Sequence, residues 1–194
     1  MSCPKGEAED NVAAAQLDAS VIEAGDCAIC LAASGSTAYT ITILKLAQEK
    51  GAVTIGISNN PDTALLSHAD IPILLPSPPE VIAGSTRLGA GTAQKIALNM
   101  MSSLMGVRLG HVLDGLMVNV IANNEKLCRR AEEIVMQVTG CDRSTASSNL
   151  HKANGAVKEA VLLALGAESY FDAQTLLERN NQNLRDALAA LQLD

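Results

Sequence analysis

Two strand-like segments, the unbroken apolar run Cys27–Ala33 (CAICLAA) and the second buried strand Val53–Ser58 (VTIGIS), constrain this chain more than any other feature. Runs without polar alternation are the mark of strands covered on both faces, the usual condition of a parallel sheet. The first run leads into Ser34-Gly35-Ser36-Thr37 and then into Ala38–Lys50, where Tyr39, Ile43, Leu46 and Ala47 fall on one helical stripe closed by Gly51. The second leads into the turn Asn59-Asn60-Pro61 and a short helix over Thr63–His68. A third strand, Ile71–Leu75, runs into Pro76, Pro78 and Pro79. Strand, helix, strand, helix, strand in this order predicts an α/β fold with parallel pairing and right-handed crossovers.

Residues 9–25 are helix-friendly, and Gly25-Asp26 reads as a turn. Ser85–Gly110 reads as one long helix rich in Ala, Leu and Met, with no strand expected beyond it. Further helices are expected at Asn123–Thr139, closed by Gly140, and at Ser144–Asn154, Val157–Leu165, Asp172–Asn180 and Asn183–Leu191. The pattern changes near residue 120. This divides the chain into a parallel-sheet domain, 1–120, and an all-helical C-terminal region, 121–194.

Composition narrows the partners. Tyr39, Tyr170 and Phe171 are the whole aromatic complement, too few for a base-stacking surface. A net charge of -7 disfavours nucleic acid and anionic membrane. No apolar run approaches the ~20 residues of a spanning helix, and Met1–Asp10 is polar and acidic, unlike a secretion signal. Five cysteines, an odd number in a chain of this size, speak against a disulfide framework and place the protein in the cytoplasm. Cys27 and Cys30 form a CxxC, but strand spacing puts them on opposite faces, so they read as strand residues rather than as a metal or redox pair. His68, His111 and His151 are scattered and suggest no metal.

Three segments carry candidate chemistry. In AASGST, residues 32–37, a small-residue loop joins a buried strand to a helix, exposing amides at the positive end of the helix dipole. Ser34, Gly35, Ser36 and Thr37 are either a phosphate-binding loop or a serine-rich helix cap. The loop has neither the P-loop lysine nor the GxGxxG spacing. In PEVIAGSTRLGAGTAQK, residues 79–95, Glu80 follows the prolyl loop, and Ser85 and Thr86 form a second helix entry beside Arg87. Glu80 is either a pocket carboxylate or a solvated loop residue. In GEAED, residues 6–10, Glu7, Glu9 and Asp10 crowd three carboxylates, which suits a general base and equally an acidic terminus.

AASGST followed by AGSTRLGAGTAQKIALNM resembles the N-acetylmuramic acid 6-phosphate etherases, a family of SIS-domain lyases. The similarity extends from about Glu9 to the C-terminus through ISNNP (57–61), LDGLMVNVIANNEKL (113–127) and IVMQVTGC (134–141). It implies a flavodoxin-like SIS sandwich, incomplete at its N-terminus, and a cytoplasmic homodimer that binds a small sugar phosphate. It implies cleavage of the D-lactyl ether of N-acetylmuramic acid 6-phosphate, giving N-acetylglucosamine 6-phosphate and D-lactate, with no cofactor. Glu9 would be the general base, with Ser34, Gly35, Ser36, Thr37, Glu80, Ser85 and Thr86 around the substrate. The family's upstream strand, glycine-rich loop and general-acid glutamate have no counterpart in these residues, and Gly89 stands where a lysine is expected. Little or no turnover is the resulting expectation. A non-catalytic sugar-phosphate sensor and a phosphosugar isomerase using Glu80 are the alternatives.

Overall fold

The computed structural model describes residues 9–191, in two compact units divided between Asn99 and Met100. In the first, α1 (Val12–Asp18) is opened by Asn11, whose Oδ1 accepts from the Ala14 amide at 2.9 Å. A single 3-10 turn, Ala19–Val21, follows. The Lys50 ammonium closes it, donating to the carbonyls of Ala19, Ser20 and Ile22 at 2.6, 2.9 and 3.1 Å. Next come β1 (Cys27–Leu31), α2 (Ala38–Glu49), β2 (Val53–Ser58), α3 (Ala64–His68) and β3 (Ile71–Leu74). The strands are parallel in the order β1-β2-β3, with Cys27 opposite Val53 and Ile55 opposite Ile71. This is the α/β arrangement read from the sequence.

One face of the sheet packs on helices, with Cys30, Ala32, Leu44 and Leu65 as its buried cluster. Small residues on that face let the helices approach closely. A Cβ on Gly56 would lie 2.7 Å from Ala69 Cβ and 2.8 Å from the Leu65 carbonyl. Asp70 fixes the register of β2 and β3: its Oδ2 accepts from the Thr54 amide and hydroxyl at 2.9 and 2.8 Å. Those bonds hold the Asp70 carboxyl below its usual range. The other face is more open, with Ile29, Val53 and Ile71 41–47% exposed. The expectation of strands covered on both faces is therefore corrected. An apolar run such as Cys27–Ala33 does not by itself show that both faces are covered, and β2 carries a polar side chain, Thr54, on its helix-packed face.

The long helix also begins later than its periodicity predicts, at Gly89 rather than Ser85: α4 spans Gly89–Arg108. Glu80 sets the start. Its carboxylate accepts from the Leu88 amide through both oxygens at 3.1 Å and from the Ala90 amide at 3.4 Å. Residues 80–88 thus form a loop closed by a carboxylate on the helix end.

The second unit is mainly helical, but the end of α4 leads into a hairpin. β4 (Val112–Leu113) and β5 (Leu116–Met117) pair antiparallel across Asp114-Gly115, whose φ values are 49° and 83°. That overturns the expectation of no further strand. Asp-Gly with two positive φ values is the tight turn that hairpins favour, and two-residue strands are too short to show alternation. α5 (Glu125–Thr139) is capped by Asn124, whose Oδ1 accepts from the Leu127 amide at 3.0 Å, and ends on left-handed Gly140. α6 (Arg143–Lys152), α7 (Val157–Ala164), α8 (Tyr170–Arg179) and α9 (Leu184–Leu191) follow within one or two residues of their expected bounds. Their core is aliphatic, centred on Val135, Val157, Val161, Leu162, Leu177 and Leu184. Lys158 is buried at its edge and donates to the Gln182 carbonyl at 2.6 Å; desolvation lowers its pKa.

Candidate functional site

The Ser34–Thr37 loop takes its shape from Gly35. Its φ is 67°, and a Cβ there would run into the Thr63 side chain and lie 2.6 Å from Ser58 Oγ. Both peptide groups of Gly35 are used: its amide donates to the Ala32 carbonyl and its carbonyl accepts from Leu65, each at 3.0 Å. The Ser36 amide turns back onto Ser34 Oγ at 3.3 Å. α2 then starts at Thr37 without a side-chain cap. Among the described residues the amides of Thr37, Ala38 and Thr40 have no hydrogen-bond acceptor. They present donors at the positive end of a twelve-residue helix, the arrangement that binds anions.

The loop opens on a cavity of about 700 Å³ within the first unit. Ala33, Ser34, Thr37, Tyr39 and Thr40 form the wall on the α2 side, and Glu9, Asn11, Ala14 and Asp18 the wall on the α1 side. Thr86 and Gln94 complete it. Of the residues read from the sequence, Glu9, Ser34, Thr37 and Thr86 are thus brought together. Gly35, Ser36, Ser85 and Glu80 do not line this cavity; Gly35 shapes the loop, and Glu80 caps α4. Glu7 lies outside the described residues.

Glu9 is exposed ahead of α1, and its carbonyl accepts from the Tyr39 amide at 3.0 Å. Asp18, at the other end of α1, accepts from the Tyr39 hydroxyl through Oδ2 at 2.6 Å; that bond and the adjacent carboxylate raise the phenol pKa. Gln94 donates to Asn59 Oδ1 at 2.9 Å, and buried Asn59 donates to the Leu75 carbonyl at 2.9 Å, tying the first turns of α4 to the strand ends. Sequence reasoning missed Asp18, Tyr39 and Gln94 as site residues. ISNNP and AGTAQK carried the signal for Asn59 and Gln94, whereas the Asp18–Tyr39 pair had none.

The two CxxC thiols diverge as strand spacing requires, Cys27 exposed and Cys30 buried. Burial pushes the Cys30 thiol up to about 11. Among the described residues no group of three or more His, Cys, Asp or Glu side chains could hold a metal ion.

A parallel sheet whose first strand leads through a small-residue loop to a helix start, with carboxylates across a cavity, defines an α/β domain of the SIS type. Residues 7–104 match the SIS domain, and the chain belongs to that family. Three relatives, each named N-acetylmuramic acid 6-phosphate etherase, extend the likeness beyond the domain. The Deinococcus radiodurans protein is 46% identical over 87% of this chain, the Edwardsiella ictaluri protein 43% over 93%, and the Histophilus somni protein 42% over 95%. The chain spans 56–62% of the length of these relatives.

Proposed function

We propose that this cavity binds N-acetylmuramic acid 6-phosphate and that Glu9 initiates loss of its D-lactyl ether. The observation that carries the reading is the convergence of Glu9, Ser34, Thr37 and Thr86 on one cavity at the start of α2. The phosphate would take the open amides of α2 and the hydroxyls of Ser34, Thr37 and Thr86. In the open-chain sugar the aldehyde acidifies the C2 proton. Glu9 takes that proton, and the C2–C3 double bond forms as lactate leaves C3 with its oxygen and takes a proton from solvent. Water then adds its hydroxyl at C3 and loses its proton to solvent while Glu9 returns its proton to C2. The products are N-acetylglucosamine 6-phosphate and D-lactate. General-base transfer of this kind contributes about 10²–10⁴-fold. The relatives' shared name supports the substrate.

Residues 1–120 are the sugar-phosphate domain and 121–194 the helical region in this reading, and the protein is a cytoplasmic homodimer that uses no cofactor. Among the described residues no helix is long and apolar enough to cross a membrane. Calorimetric titration with N-acetylmuramic acid 6-phosphate, D-lactate assay, and NMR of C2–H exchange in deuterated water test the proposal. Binding with C2 exchange supports it. A folded protein that neither binds nor exchanges overturns it, and equal binding by a Ser34→Ala, Thr37→Ala variant removes the phosphate assignment.

A further inference from the structure

We propose that Tyr39 is the positioning residue of this site, fastening the segment that carries Glu9 to the helix end that would take the phosphate. The proposal rests on the reading of Glu9 as the base. Tyr39 sits in the first turn of α2 and bonds twice to the opposite wall. Its amide holds the Glu9 carbonyl at 3.0 Å, and its hydroxyl holds the Asp18 carboxylate at 2.6 Å. Glu9 lies just ahead of α1 and Asp18 is its last residue, so one residue bonds near both ends of a seven-residue helix about 10 Å long. Lys50, just past the other end of α2, grips the 3-10 turn that follows α1 through three carbonyls.

The consequence is a fixed register between the two walls. The amides of Thr37, Ala38 and Thr40 neighbour Tyr39 on α2 but make no bond to α1, so a phosphate and Tyr39 use different donors of one turn. Loss of the phenol bond loosens α1, and with it the Glu9 carboxylate, without removing a phosphate donor. Misplacement by about 1 Å costs on the order of a hundredfold in rate. The hydrogen bond to Asp18, and then burial and the carboxylate charge, oppose ionisation of the phenol.

The test compares wild type with Tyr39→Phe, Asp18→Ala and Asp18→Asn, using N-acetylmuramic acid 6-phosphate as the probe. Calorimetry reads Kd, and NMR in deuterated water reads C2–H exchange. Tyr39→Phe and Asp18→Ala are expected to lower exchange about ten- to hundredfold with Kd unchanged, and the double variant is expected to lose no more than either single one. Asp18→Asn keeps an acceptor for the phenol and is expected to restore most of the rate that Asp18→Ala loses. In a Tyr170→Phe background Tyr39 is the sole tyrosine of a chain without tryptophan, so near-ultraviolet absorbance reads its ionisation directly. Asp18→Asn is expected to lower that midpoint. Full exchange by Tyr39→Phe, additive losses, a parallel loss of Kd, or a phenol midpoint indifferent to Asp18 overturns the positioning role alone. A wild-type protein that neither binds nor exchanges overturns the site reading and the positioning role together.

Discussion

Gly35→Ala is the sharpest test of the loop that shapes the cavity. The residue has φ 67°, and an added Cβ meets the Thr63 side chain and stands 2.6 Å from Ser58 Oγ. Left-handed backbone costs a non-glycine residue about 1–2 kcal/mol. Overpacking adds about 1–3 kcal/mol, because Thr63 is β-branched and opens α3 while Ser58 is buried at the end of β2, so neither yields easily. The expected loss is about 2–5 kcal/mol. Gly25→Ala separates the two contributions: Gly25 has φ 92° with nothing within 4 Å of its Cβ position, so it carries the backbone cost alone, about 1–2 kcal/mol. Urea unfolding followed by far-ultraviolet circular dichroism measures both, with calorimetry of sugar-phosphate binding on the folded variants. If Gly35→Ala is no less stable than Gly25→Ala and binds normally, the packing of the loop against Thr63 and Ser58 is wrong.

Gly89→Ala should stabilise the start of α4 by about 0.4–1 kcal/mol, since its Cβ would meet Ser77, Pro78 and Glu80 at 3.6–3.9 Å, ordinary contact distances; a lower urea midpoint would refute this. Asn124→Ala removes the cap of α5 and should cost about 0.5–2 kcal/mol, read as a lower melting temperature by circular dichroism. Alkylation at pH 8 followed by mass spectrometry should label exposed Cys27 well before Cys30. The Cys30 thiol, raised from 9.0 to about 11, remains protonated there, and its contribution to stability is complete below pH 9 and lost as pH rises towards 11. Equal labelling of the two thiols in the folded protein would contradict its burial.

What could be read in advance follows from the range of each interaction. Cys27–Leu31 and Val53–Ser58 announced themselves because apolar runs bounded by turns are local signals. Gly140, Asn124 and the helices between 125 and 191 were legible for the same reason, through caps and periodicity. The start of α4 was not, because it is set by a carboxylate eight residues upstream of the Leu88 amide it accepts from. The hairpin at Asp114-Gly115 was missed because its two-residue strands leave no period to count, although the turn residues were in view. Within the site, Ser34, Thr37 and Thr86 lie in small-residue loops that advertise open amides and hydroxyls. Tyr39 read as a core-stripe residue, and only the fold reveals that its hydroxyl crosses to a residue 21 positions away.

The closed loop from Glu80 to Leu88 also couples the cavity to the integrity of α4. Glu80 has no amide to bind until the first turn of α4 exists, and Thr86 is carried on the loop that this bond closes. The Glu9–Tyr39 bond that joins the α1 and α2 walls and the Gln94–Asn59 bond that ties α4 to the strand ends close loops of similar length, so loop-closure entropy does not separate them. Fraying of the first turn of α4 would release the Glu80 bonds and loosen the loop that carries Thr86 into the cavity.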